Sequence, residues 1–245
     1  MANRTLAILA AVLFALTVLW RAPASWLISA LPRSIQCLQP AGSLWSGACG
    51  QVRVAGAALS DVRWQLRPWT VLGGHLDLAL QSADVRAPAT ATLILGFGGH
   101  DTLQDLRADM PIDTGFLPLF PSGWSGRLQL ALSRLEFKAG RLAAIRGTLT
   151  ASSLAQIQPA MPFGSFELRF PDTAPADGAI RGELRDVGGP LAVAGTLVIR
   201  NGSEYELSGS AAARADANAE LAKAVEFLGP ADAQGRRPYS LAGSF

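Results

Sequence analysis

Hydrophobic and polar positions are distributed along this chain in two different ways. Residues 5–20 (TLAILAAVLFALTVLW) form an uncharged run closed by Arg4 and Arg21, and up to Ile28 only Arg21, Pro23 and Ser25 interrupt its apolar character. Sixteen helical residues cover about 24 Å, short of the roughly 30 Å hydrocarbon layer. Snorkelling by Arg4 and Arg21, with Trp20 and Trp26 at the interface, makes up the difference. The first reading is a transmembrane anchor over residues 5–28, with everything after about residue 30 on one side. The rival is a cleaved secretory signal, with Arg4 as the charged start and Ala22-Pro23-Ala24 as the small-residue site. Trp20 and Arg21 are an awkward approach to such a site, and Trp26, Leu27, Ile28 and Leu31 prolong the apolar character beyond it. Both readings export the rest of the chain.

Beyond the anchor the period changes to two. In LSDVRWQLR (residues 59–67) Val62, Trp64 and Leu66 alternate with Asp61, Arg63, Gln65 and Arg67, which predicts a strand with one dry face. Similar runs occupy residues 51–56, 75–80, 90–95, 126–132, 142–149, 163–170, 179–184, 191–200 and 239–245. Asn201-Gly202 is the strongest hairpin signal and suits a type I′ turn joining residues 197–200 to 204–207. Two short helices are expected. One is a turn after the capping-box-like Thr102-Leu103-Gln104-Asp105, with Leu103 and Leu106 on one face. The other spans residues 216–228, where Leu221, Ala224, Val225 and Leu228 form a stripe, Asp216 or Asn218 caps the start and Gly229-Pro230 stops it. The pattern predicts an all-β fold: an extended antiparallel, strongly curved sheet, a meander or open barrel, with one or two short helices. Glycines inside strands mark bends or bulges, or simply close neighbours.

Charge changes the picture by exclusion. Setting Arg4 and Arg21 aside leaves 19 basic and 19 acidic side chains, the first acidic residue being Asp61. No basic cluster interleaves with aromatics, so a nucleic-acid partner is excluded. The two cysteines, Cys37 and Cys49, lie twelve apart, and in an exported domain such a pair suggests one disulfide closing a small loop. The histidines, His75 and His100, are 25 apart with Asp77 and Asp101 nearby, too few converging ligands for zinc. Ser46 is flanked by glycine on one side, but Leu44 and Ala48 stand where a nucleophile elbow requires glycine. Gly96-Phe97-Gly98-Gly99 lacks the lysine and context of a phosphate loop. No catalytic residue, cofactor or metal is expected. Leu, Val, Phe and Trp on a curved sheet make either a packed core or a groove for a lipid chain.

The order of the short motifs resembles one family. Leu31-Pro32 is followed by Ala41-Gly42-Ser43-Leu44-Trp45-Ser46-Gly47, then by Leu59-Ser60-Asp61-Val62-Arg63-Trp64-Gln65-Leu66-Arg67-Pro68 and Gly74-His75-Leu76. Further along come Leu103-Gln104-Asp105-Leu106-Arg107-Ala108, Met110-Pro111, Gly123-Trp124-Ser125-Gly126-Arg127-Leu128, Tyr205-Glu206-Leu207-Ser208-Gly209 and Tyr239-Ser240-Leu241-Ala242-Gly243. This sequence resembles protein N of the type II secretion system over essentially its whole length. The resemblance implies a single-pass protein of the cell inner membrane in a Gram-negative bacterium. Residues 1–4 would be cytoplasmic, 5–28 the anchor and 29–245 a periplasmic β-rich domain. It implies an accessory, non-enzymatic role in exporting folded proteins across the outer membrane, with other inner-membrane platform subunits and membrane lipid as partners. Trp45, Trp64, Trp69 and Trp124 are the candidate interaction or structural aromatics. The alternative function is lipid or lipoprotein handling by a curved β-sheet groove.

Overall fold

The computed structural model describes residues 2–30, 35–54, 57–96, 98–112, 123–172 and 178–244. Leu31-Pro32 and Phe97 of the motifs above lie outside them. Two helices, α1 (Ala2–Trp20) and α2 (Ala24–Ala30), precede a single antiparallel sheet. Its strands are β1 (Ile35–Gly42), β2 (Ser46–Val54), β3 (Ala57–Arg67), β4 (His75–Ser82), β5 (Ala89–Gly96), β6 (His100–Pro111) and β7 (Trp124–Lys138). They continue with β8 (Arg141–Gln156), β9 (Met161–Phe170), β10 (Ile180–Gly188), β11 (Leu191–Arg200), β12 (Glu204–Ala213) and β13 (Arg237–Ser244). The thirteen strands lie side by side in chain order, so the sheet is one uninterrupted meander. A six-residue 3-10 turn (Pro68–Gly73) links β3 to β4, and α3 (Ala219–Glu226) lies between β12 and β13.

The N-terminal expectation is corrected. Among the described residues no helix is long and apolar enough to cross a membrane, which overturns the transmembrane helix over residues 5–28 and the single-pass inner-membrane placement that rested on it. The chain leaves helix at Arg21. Ala22 and Ala24 are buried, Pro23 bridges Ser43, and the Leu44 N–H donates to the Ala22 carbonyl at 2.8 Å. The β1–β2 hairpin thus claims the residues that a longer helix would have needed. What remains of the uncharged run is sixteen residues, about 24 Å of helix.

The helical turn expected after Thr102 is corrected as well, because that segment lies within β6. Asp105 has φ of 50°, and the pairing of β6 with β5 shifts between Thr90 and Thr92. A bulge at Asp105 rotates the strand by one residue. Leu103 and Leu106, three apart, therefore face the same side, opposite Leu135 and Leu132 of β7. Bulging reproduced the spacing of a helix. Asn201 and Gly202 do sit at a hairpin tip, with φ of 54° and 71° and the Ser203 N–H donating to the Arg200 carbonyl at 3.2 Å.

Register places the apolar residues of most strands on one face. The row Leu66, Leu78, Leu93, Leu103, Leu135 and Ile145 runs from β3 to β8, and Leu149 continues through Leu168 to Leu184. That face is dry in three separate places. Around β2–β4, Cys49, Val52, Trp64, Leu66 and Leu78 are buried together with Ala24. Around β9–β11, Phe170, Ile180 and Ile199 are buried, with Leu142, Ile145 and Tyr205 packed against them. At one end, Leu221 and Val225 of α3 sit on Met161 and Phe163. The sheet curls enough for β8 to meet the β11–β12 turn, where a Cβ on Gly202 would come within 2.7 Å of the Leu142 carbonyl oxygen.

Candidate functional site

Each of the four tryptophans has a different setting. Trp64 is 6% exposed, its indole lies over Gly47, its register partner in β2, and its Nε1 donates to the Leu44 carbonyl at 3.2 Å. A side chain at position 47 would collide with that ring. Trp45 is half-buried and packs against the same cluster. Trp124 stacks on Phe163 with ring centroids 4.8 Å apart, beside the seat of α3. Only Trp69 stands out, 75% exposed in the 3-10 turn and followed by Leu72 at 93%. The structure therefore brings Trp45 and Trp64 together and leaves Trp69 and Trp124 apart.

Covering a glycine with an aromatic ring from the neighbouring strand recurs. Phe170 lies over Gly182, Tyr205 over Gly243, and Tyr239 over Gly209 of the next strand and Gly195 of the strand beyond it. Burial raises the pKa of the Tyr239 phenol above its ordinary value. Each ring fills a gap that the missing side chain would leave in the apolar face. Sequence reading missed these pairs, since the partners lie 12 to 44 residues apart; the signal was glycine at an apolar-face position.

Cys37 and Cys49 form a disulfide across β1 and β2, with Cα atoms 5.7 Å apart. Asp186 of β10 is a tie that the sequence did not reveal. Its Oδ1 accepts from the Val193 N–H at 3.0 Å, its Oδ2 accepts from Arg214 Nη2, and Arg214 Nη1 donates to the Gly189 carbonyl at 2.6 Å. Burial pushes the Asp186 pKa up, but the bonds from Arg214 and Val193 outweigh it and hold the carboxyl below its ordinary value. Three strand ends are fastened there.

The other face of the sheet is polar. Arg127 pairs with Asp109 at 2.9 Å and Arg185 with Glu167 at 2.6 Å, both across neighbouring strands. A cleft of about 690 Å³ has a mixed lining, in which Arg63, Gln65, Gln81 and Asp105 stand beside Trp64 and Leu80. His75 Nε2 lies 3.6 Å from Asp77, and His75 Nδ1 faces the Gly73 carbonyl at 3.2 Å. Ser46 is exposed, and its N–H donates to Ser43 Oγ at 3.2 Å. Among the described residues no three His, Cys, Asp or Glu side chains converge as metal ligands would.

A single-layer meander with one apolar and one ion-paired face has the architecture of a β-sheet scaffold. The chain belongs to the family described as type II secretion system (T2SS), protein N, which it matches over residues 33–240. It is 25% identical to the type II secretion system protein N of Aeromonas hydrophila, an alignment covering 86% of this chain and 85% of that protein. It is 27% identical to the Vibrio cholerae protein of the same name, covering 87% of this chain and 86% of the relative. No solved structure matches it. As a member of this family the chain is a structural, accessory component and not an enzyme.

Proposed function

We propose that this chain assembles with the platform subunits of the type II secretion machine as a non-catalytic scaffold supporting export of folded proteins. The match to the secretion family over residues 33–240 carries this reading. The exposed Trp69 and Leu72 support it, since tryptophan is enriched among the residues that anchor protein interfaces. Affinity capture of the full chain from solubilised cells tests it. Platform subunits should co-purify with the wild type and be reduced with Trp69→Ala. Their absence from both would sink the reading.

The second reading is lipid or lipoprotein handling by the apolar face. One observation favours it: in β7 Leu132 is buried, whereas Leu128 and Leu130 on the same face are only half-buried. Stoichiometric phospholipid in the captured sample, without platform subunits, would decide for this reading instead.

A further inference from the structure

The two edges of the sheet are not alike. The β1 edge is blunted: Gln39 has φ of 56°, the next residue, Pro40, has no N–H to donate, and α2 packs beside the strand. Among the described residues β13 carries no such device. It pairs with β12 in unbroken register from Arg237 to Ser244, and residues 240–244 are exposed. Its single proline, Pro238, and its single charge, Arg237, stand at the first two positions. Residues 239–243 (YSLAG) are neutral and small or apolar, an edge that natural sheets seldom leave open.

We propose that β13 pairs antiparallel with β13 of a second copy of this chain, joining the two sheets across a two-fold axis at Leu241. Tyr239, Leu241 and Gly243 face the apolar side, opposite Gly209, Leu207 and Tyr205 of β12, while Ser240 and Ala242 face the polar side. A two-fold axis perpendicular to the sheet at Leu241 keeps both faces continuous. It sets Leu241 against its own copy, Tyr239 against Gly243 and Ser240 against Ala242. Gly243 has no side chain to clash with Tyr239 of the second copy, whose ring stays over Gly195 and Gly209 of its own sheet. The row Leu197, Leu207 and Leu241 would run on into the same three residues of the partner, covering Leu241, which is 56% exposed at the free edge. No charge opposes its like, because Arg237 falls outside the paired segment. Centring on Ser240 instead would bring Pro238 opposite Ala242, inside the ladder. The inference is independent of which other proteins the chain binds.

The test is position-specific crosslinking of the purified full chain, held in mild non-ionic detergent because α1 exposes Leu6, Leu9 and Phe14. Directly opposed residues of an antiparallel pair have Cα atoms about 4.5–5.5 Å apart, within disulfide reach. Leu241→Cys should therefore give a covalent dimer on mild oxidation. Ser240→Cys and Val187→Cys, the latter on an exposed residue of β10, should not. By light scattering the wild type should be dimeric, and Leu241→Lys should raise the dimer dissociation constant roughly tenfold or more, with an unchanged circular dichroism spectrum. Absence of a crosslink at 241, equal crosslinking at 187, or preferential crosslinking at 240 would overturn the proposal.

Discussion

Trp64 and Trp69 show how a shared side chain takes its meaning from where the strand pattern puts it. Trp64 occupies an apolar position of β3 and covers the gap over Gly47. Trp69 follows Pro68, where the alternation has stopped, and remains in solvent. Trp64→Ala is expected to cost about 3–5 kcal/mol in urea unfolding, the usual loss for a buried large aromatic. Trp69→Ala should stay within about 0.5 kcal/mol of wild type. A large loss at 69 and none at 64 would reverse the assignment. Asp186 adds a pH dependence. Its folded pKa is lowered, so its stabilising effect is present above the ordinary carboxylate value near 4 and is lost as pH falls through the folded value. Thermal melts of the wild type should therefore lose stability on acidification below about pH 4, and Asp186→Asn should flatten that slope.

Among the elements, α3 is short enough to depend on its ends. The Asn218 side chain accepts from the Leu221 N–H at 2.8 Å, while Leu221 and Val225 are the residues it buries. Asn218→Ala should cost about 1 kcal/mol and Leu221→Ala about 2–5 kcal/mol, read by denaturant unfolding. Equal effects would mean that the helix contributes little packing. The Cys37–Cys49 bond belongs to the same scale, tying β1 to β2. Unreduced protein should give no thiol labelling, and labelling of both cysteines would show the bond absent in solution. Strands were legible here wherever alternation was clean, as in β3, β9 and β11. Legibility failed at Asp105, because a bulge gives Leu103 and Leu106 the same three-residue spacing as a helix. It failed again at residues 22–30, where local hydropathy cannot reveal that Pro23 and Ala22 are held by Ser43 and Leu44. The aromatic–glycine pairs and the Asp186–Arg214 tie depend on register, which no single segment encodes.

On the scale of the whole molecule, the apolar face is buried in separate patches, because a single layer of sheet can cover itself only where it curls or meets a helix. The cluster around Trp64 and Leu78 shares no residue with that around Phe170 and Ile199. Unfolding should accordingly deviate from a single transition. Leu78→Ala is expected to lower protection from hydrogen exchange in β2–β4 while leaving β9–β11 near wild type, and Ile199→Ala should do the reverse. Uniform loss throughout the sheet from either variant would show one cooperative unit.

The meander order bears on how the molecule comes into being. Every strand hydrogen-bonds to the strand made just before it, so during synthesis a newly completed segment finds its partner already present. No strand has to wait exposed for a distant mate, the delay that makes many β proteins slow and prone to aggregate. The final curl, where the β11–β12 turn reaches back to Leu142, and the seating of α3 on β9 each require a long stretch of chain to be finished first. Growth from the first strand onward would then be closer to laying successive courses of a wall than to closing a purse.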